Sequence, residues 1–276
     1  MPFALILRVI ALLCCLGLQT SIADSDQVIR SDDGEHDAFT FVRIKYDSSG
    51  GFGESWYRHD GRDWQRWETD YPRAENNLIL RLKELTSMQV RKDPIVLELT
   101  DDALMKHPFI FMSDVGWQVL SDAEQKSLSV YLDRGGFLWV DDFWGEGERR
   151  NFMQNLGSLH PKWQWRTIPV EHPIFTIVYS LKTCPQIPAR IFFEQSGRAW
   201  DPPQVHRYPS GGVAGVNTVN FLGLFDENNR LMAVATHNTD IADGWEREGE
   251  SRVFFDRFSI QSYAMTINIL VYAMTH

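Results

Sequence analysis

The residues able to do chemistry in this sequence are mostly carboxylates, and they follow short apolar runs. Asp114 comes just after Phe109–Met112, and Asp141 and Asp142 come directly after Phe137–Val140. His237-Asn238-Thr239-Asp240 and Asp243-Gly244-Trp245-Glu246 leave a third apolar stretch, and Glu171-His172-Pro173 adds an isolated histidine. Carboxylates gathered in a dry site cannot all stay ionised without a counter-charge, because each buried ion costs several kcal/mol even after relaxation. A divalent cation, an ammonium-bearing ligand or a cluster of sugar hydroxyls would supply the partner. Oxygen-rich ligation suits Ca, Mg or Mn better than Zn. Asp142, Asp240 and His237 are therefore the candidate metal ligands. Asp114, Asp141, Asp243, Trp245 and His172 complete the candidate ligand-binding set.

Each of these residues also has a plainer reading. Asp141 and Asp142 precede a helix, where an acidic cap alone contributes about 0.5–2 kcal/mol. Histidines in polar loops are common without a ligand. No H-x-x-H, H-E-x-x-H or EF-hand spacing occurs, so a structural zinc site is not expected. Covalent acyl transfer from a strand-to-helix turn needs Ser or Cys there, as in G-x-S-x-G. The turn here reads Val140-Asp141-Asp142-Phe143-Trp144-Gly145, and Cys184, between Thr183 and Pro185, is a poor substitute. The loop SSGGFGESWYRHDGRDWQRW interleaves Trp56, Tyr57, Trp64 and Trp67 with Arg58, Arg62 and Arg66. That mixture suits stacking on a ligand, although such tryptophans more often roof a core.

The elements that must position these groups read as α/β. Phe109–Met112 and Phe137–Val140 are too short for helices and apolar enough to be buried on both faces. Between them Ser121 and Glu124 spell a capping box, Leu128, Tyr131 and Leu132 recur at helical spacing, and Gly135-Gly136 supplies a stop. A crossover of that length joins parallel neighbours. Phe39–Tyr46 is a first strand with Val42, Ile44 and Tyr46 on one face. Thr69 or Asp70 caps a helix that Pro72 opens, with Leu78, Leu82 and Leu85 on one side. Ile95–Leu99 is a further strand, and a charged helix runs from Gly145 to about Leu159. Residues 161–216 are proline-rich and read as irregular covering structure. Asn217–Phe225 and Arg230–Thr236 form a late antiparallel hairpin, and a buried helix over Arg257–Met274 shows Ile260, Ala264, Ile267, Val271 and Met274 on one stripe. The expected fold is an open, mostly parallel sheet with helices on both faces, in which ligands collect at the carboxyl ends of strands.

Composition narrows the setting. Residues 1–23 read as an export signal, with an apolar run from Leu5 to Leu18 and small residues at Ser21 and Ala23, and residues 24–38 as a flexible lead-in. One domain over 39–276 is expected, periplasmic or secreted, with no stable membrane insertion once the signal is cleaved. The formal net charge of −10 disfavours nucleic acid and anionic lipid and favours cationic ligands. Cys184 is the only cysteine beyond the expected signal, so no internal disulfide framework supports the exported chain.

TDYPRAENN (69–77), HPFIFMSDVG (107–116), LDRGGFLWVDDFWG (132–145), EHPIF (171–175), HNTDIADGWEREGE (237–250) and INILVYAMTH (267–276) resemble the exported bacterial family known as domain of unknown function 4159. The resemblance covers nearly all of the chain after the signal. It implies a flavodoxin-like sheet similar to the class I glutamine amidotransferases, with no assigned reaction. Asp141 and Asp142 stand where the amidotransferase cysteine would be, so glutaminase activity is not expected. The reading that follows is a non-covalent binding or accessory protein of the cell envelope, with a small polar ligand or an envelope protein as partner. Its rival is a metal-assisted hydrolase acting on a polar or glycan substrate.

Overall fold

The structure is a computed structural model and describes residues 38–49, 55–59, 61–201 and 216–276. The expected export signal and residues 24–37 of the lead-in lie outside the described residues.

In chain order come β1 (Val42–Lys45), β2 (Asp47–Ser48), β3 (Trp56–His59), β4 (Arg62–Gln65), α1 (Arg73–Leu85), β5 (Ile95–Glu98), β6 (Phe109–Ser113) and β7 (Gln118–Val119). Then follow α2 (Asp122–Asp133), β8 (Phe137–Phe143), α3 (Gly145–Leu156), β9 (Gln164–Thr167) and α4 (Arg190–Ser196). The chain closes with β10 (Asn220–Phe225), β11 (Leu231–His237), α5 (Asp243–Glu246), α6 (Arg252–Phe254) and α7 (Ile260–Thr275).

The unit β6–α2–β8 forms as its punctuation dictates. Glu124 N donates to Ser121 Oγ at 3.3 Å and Ser121 N donates to Glu124 Oε2 at 2.8 Å, closing the capping box. Gly135 then turns through a φ of 100°, which a side chain would resist. β6 and β8 emerge as parallel neighbours, with Phe109 opposite Phe137 and Ser113 opposite Asp141.

Seven strands make the central sheet in the order β5-β1-β6-β8-β11-β10-β9. The first five run parallel, and β10 and β9 close one edge antiparallel. Strand alternation sends Phe41, Phe109, Phe111, Phe137 and Trp139 to one face, against Leu78 and Leu82 of α1 and Ile267 and Leu270 of α7. Val42, Ile44, Ile110, Met112, Leu138 and Val140 face the other way, against Leu128 and Leu132 of α2 and Phe152 and Leu156 of α3. The sheet is thus covered on both faces, as near-continuous apolar parallel strands require. A buried ion pair ties α1 to β1, Arg43 Nε donating to Glu75 Oε1 at 2.7 Å, with both side chains fully enclosed.

Four expectations change. The aromatic loop carries a hairpin, β3 paired antiparallel with β4, and 161–201 carries the edge strand β9 and the helix α4. The strands of the hairpin and β9 are four residues each and of mixed composition, and α4 is only seven residues long, so apolar periodicity could not reveal them. Leu85 is exposed at the end of α1. In α7 Ile260 is also exposed, while Met265, Ile269 and Leu270 are buried, and a π-helical turn, Phe255–Ser259, precedes the helix. A helix apolar on all sides gives no single stripe to read.

Candidate functional site

β6, β8 and β11 lie side by side in the sheet, and each has a left-handed residue at its carboxyl end, just inside the strand in β8 and just past it in β6 and β11. Asp114 has φ 53°, Asp142 φ 55° and Asn238 φ 64°. Few side chains tolerate this region, and Asp and Asn are the common exceptions. Asp70, in the turn before α1, makes a fourth such residue at φ 66°. These turns open onto a cavity of about 460 Å³.

Asp70, Asp114, Asp142, Asp240 and Asp243 all line that cavity, and Asp201 and Glu148 add two further carboxyl groups. Three guanidinium groups, those of Arg66, Arg190 and Arg247, oppose the seven acids. Tyr57, His59, Trp144 and Phe192 give it ring walls. The hairpin reaches the site through a relay. The Tyr57 hydroxyl lies 3.2 Å from Thr69 Oγ1, which donates to Asp114 Oδ2 at 3.0 Å, and Arg66 Nη1 donates to the same oxygen at 2.9 Å. Trp144 Nε1 donates to Asp142 Oδ1 at 2.9 Å, and Trp144 N donates to Glu148 Oε2 at 2.6 Å, which fixes the start of α3. Asp243 Oδ2 accepts from Arg190 N at 2.6 Å, and Asp201 Oδ1 accepts from Ala189 N at 2.9 Å.

The electrostatics follow from crowding acids in a dry hollow. Burial, and after it the charges of Asp114, Asp70, Asp141 and Asp201, push the Asp142 carboxyl well above the usual range. Burial and then Asp142, Asp70 and Asp243 do the same to Asp240, and burial with Glu246 and Asp243 to Asp70. Asp243 is pushed by burial to about 6, against the pull of Arg247. Burial raises Asp114 too, opposed by Arg66. Such a group of acids either takes up protons or takes in a cation. Asp70, Asp240 and Asp243 come closest to a chelating set: one carboxylate oxygen from each lies within 4.8 Å of the other two.

The remaining sequence candidates lie elsewhere. His237 is not a cavity residue. Its Nε2 is 2.9 Å from Gly145 O and its Nδ1 2.9 Å from Asn220 Nδ2, so both nitrogens are in use and the trio with Asp142 and Asp240 is not assembled. Trp245 is wholly buried among Phe41, Phe111 and Trp139, and its indole N–H donates to Thr266 Oγ1 at 3.0 Å. His172 Nδ1 accepts from Ile174 N at 3.3 Å, capping a short turn, and its ring packs on Tyr272. Asp141 is fully enclosed; it accepts from Thr236 Oγ1 and from Ala242 N at 3.0 Å, and burial raises it to about 7. Neither Asp141 nor Asp142 caps α3, whose first residue follows Trp144 with no side-chain cap. Cys184 is buried, and its thiol is pushed well up by burial.

Asp70 is the residue that sequence reasoning placed wrongly. α1 begins after Pro72 without a side-chain cap, and Asp70 contributes only its carbonyl, which accepts from Ala74 N at 3.0 Å. Its carboxylate is left for the cavity. Asp201 had no motif to mark it, whereas Tyr57 and Arg66 belong to the aromatic and arginine loop whose composition suits stacking on a ligand.

Fold and cavity together define an α/β protein with a mostly parallel sheet, an acidic hollow at the carboxyl ends of its strands, and neither serine nor cysteine at the turn from β8 to α3. The chain belongs to the family described as Domain of unknown function (DUF4159), whose model matches residues 40–274. No curated protein matches it.

Proposed function

We propose that the protein is a non-covalent binding protein of the cell envelope whose cavity takes a small polar ligand bearing positive charge. The observation that carries this reading is the lining of a single cavity by seven carboxyl groups against three guanidinium groups. Its volume of about 460 Å³ falls in the range of small-molecule sites, roughly 300–1,000 Å³. The ring walls favour a cationic group as well, because aromatic faces attract positive charge. The envelope setting rests on the apolar run at Leu5–Leu18. A metal-assisted hydrolase is the second reading, favoured by Asp142: it stands on left-handed backbone at the strand-to-helix turn, with a raised pKa suited to carrying a proton.

A thermal-shift screen of the full chain tests the reading, using amines, amino acids, amino sugars and divalent chlorides beside an equal set of organic anions. A binder at a hundred times its dissociation constant adds about 2.7 kcal/mol of stability. Stabilisation by members of the cationic set, lost in Asp142→Asn or Asp240→Asn, is the expected outcome. Stabilisation by the anions alone, or by nothing in either set, would overturn it.

A further inference from the structure

Buried acids are common in folded proteins when their oxygens are satisfied. Asp141 illustrates this: fully enclosed, it is held by the Thr236 hydroxyl and the Ala242 amide. Asp114 is likewise held by Arg66 and Thr69. One oxygen of the cavity differs. Asp70 Oδ2 is closed off from solvent and receives no hydrogen bond. Asp240, 3% exposed, stands beside Asp70 and accepts from Asp243 N at 2.8 Å through Oδ1. A buried acceptor without a donor is costly to keep, so an orphaned oxygen among three gathered carboxylates asks for a ligand.

The framework around that point is fixed before anything binds. Asp70 comes from the turn before α1, and Asp240 and Asp243 from the turn that leaves β11. Asn77 Nδ2 of α1 donates to Trp245 O at 2.8 Å and to Glu246 O at 3.3 Å, which ties the two segments together. Trp245, locked in the core, holds α5 from beneath.

We propose that Asp70, Asp240 and Asp243 form a site for a hard divalent cation, with Ca as the ion it fits best. The inference rests on the cavity being a place for positive charge, and it names that charge. A divalent ion cancels two of the three carboxylate charges, and Arg247, whose Nε lies 3.6 Å from Asp243 Oδ1 and which also pairs with Glu246 and Glu250, offsets part of the third. An ammonium group would leave one more buried negative charge uncompensated. With no imidazole or thiolate in the set, the ligands are hard oxygens, which exclude a preference for Zn or Cu. Ca holds its oxygens at about 2.3–2.6 Å, so oxygens on opposite sides of one ion stand up to roughly 5 Å apart, and the trio lies within that span. Mg, at about 2.0–2.1 Å, demands near-ideal octahedral geometry, whereas Ca accepts the irregular shell that ligands from two separate turns supply.

The test is calorimetric titration and thermal unfolding of the full chain after dialysis against chelator, with Ca, Mg and Mn chlorides as separate probes. The expected result is binding of one Ca per chain and a rise in melting temperature. Asp70→Asn and Asp240→Asn should each weaken the affinity at least about tenfold. The same variants should melt at or above the wild type without metal, because each removes an uncompensated charge. That pairing of higher metal-free stability with lost metal response separates a missing ligand from a damaged fold. No heat and no thermal shift at about 10 mM of any of the three ions, well above the weakest extracellular Ca modules, would overturn the site. So would undiminished Ca binding in both variants. If amines stabilise the protein while all three ions fail, this inference falls and the cavity reading stands; if nothing positively charged binds, both fall.

Discussion

His237 is 3% exposed, packs on Phe143 with ring centroids 4.8 Å apart, and offers one nitrogen to the Gly145 carbonyl and the other to the Asn220 amide. A neutral ring protonated on Nε2 satisfies both contacts; a charged ring would turn Nδ1 into a second donor, facing the Asn220 amide donor. Burial is the largest cause of a pKa lowered to about 4, with Arg149 pulling the same way, and Gly145 O and Glu146 opposing. The unfolded ring, near 6.5, takes its proton first as pH falls, so His237 contributes nothing above that value and weakens the fold below it. The loss reaches roughly 3 kcal/mol near pH 4. The buried carboxyls titrate in the opposite sense, so the effect is read as a difference. Denaturant unfolding of wild type and His237→Asn from pH 7 to pH 4 should show the wild type losing ground to the variant over that interval. A constant difference would mean that the ring does not stay neutral.

At the scale of elements, the stretch that organises the sheet is also the one the sequence spelled most fully. Ser121→Ala removes the acceptor for the Glu124 amide and should cost about 1 kcal/mol, lowering the melting temperature by roughly 2–4 °C with no change in ligand response. An unchanged melting curve would show that the end of α2 is held by packing instead. Capping residues, glycine stops and apolar runs are local signals, which is why β6–α2–β8, the parallel pairing and the late hairpin were legible. The nearness of Asp114 and Asp142 followed from one further rule, that strand ends of a parallel sheet meet at an edge. The edge reached by Asp240 and Asp243 was not legible, because they leave an arm of an antiparallel hairpin whose parallel pairing with β8 only the structure shows. What stayed hidden has a common cause. Asp70 and Asp201 reach the cavity from turns whose path depends on tertiary packing, and the hairpin that carries Tyr57, itself marked by the loop's composition, has only four residues per strand of mixed character. His237 and Trp245 were misread because polar and aromatic residues beside a strand end carry no local mark of which way they point. β11 runs on to His237, one residue further than its apolar pattern suggested, and that strand residue packs on Phe143 instead of lining the cavity.

For the molecule as a whole, the acidic hollow is a conflict between stability and binding. The sheet and its two apolar layers would be better served by neutral residues at the strand ends, yet five aspartates with raised pKa values, Asp70, Asp114, Asp142, Asp240 and Asp243, share one enclosure. Each must be protonated or repel its neighbours before a ligand arrives, and either way folding bears the cost. Asp142→Asn isolates this, because the amide oxygen can still accept from Trp144 Nε1 while the charge is gone. The ligand-free variant should be more stable than the wild type by about 0.5–2 kcal/mol near neutral pH, a gain of a few degrees in melting temperature. The sign of the pH dependence is fixed by the raised pKa. The unfolded carboxyl ionises first as pH rises, so the wild type loses more stability over that range than the variant, which keeps the other raised acids but not this one, and the variant's advantage grows from pH 5 to pH 8. Paired melting curves at those two pH values decide the matter. A variant less stable than the wild type at both would mean that the Asp142 charge is already compensated within the fold, and that the hollow is a structural network with no need of a ligand.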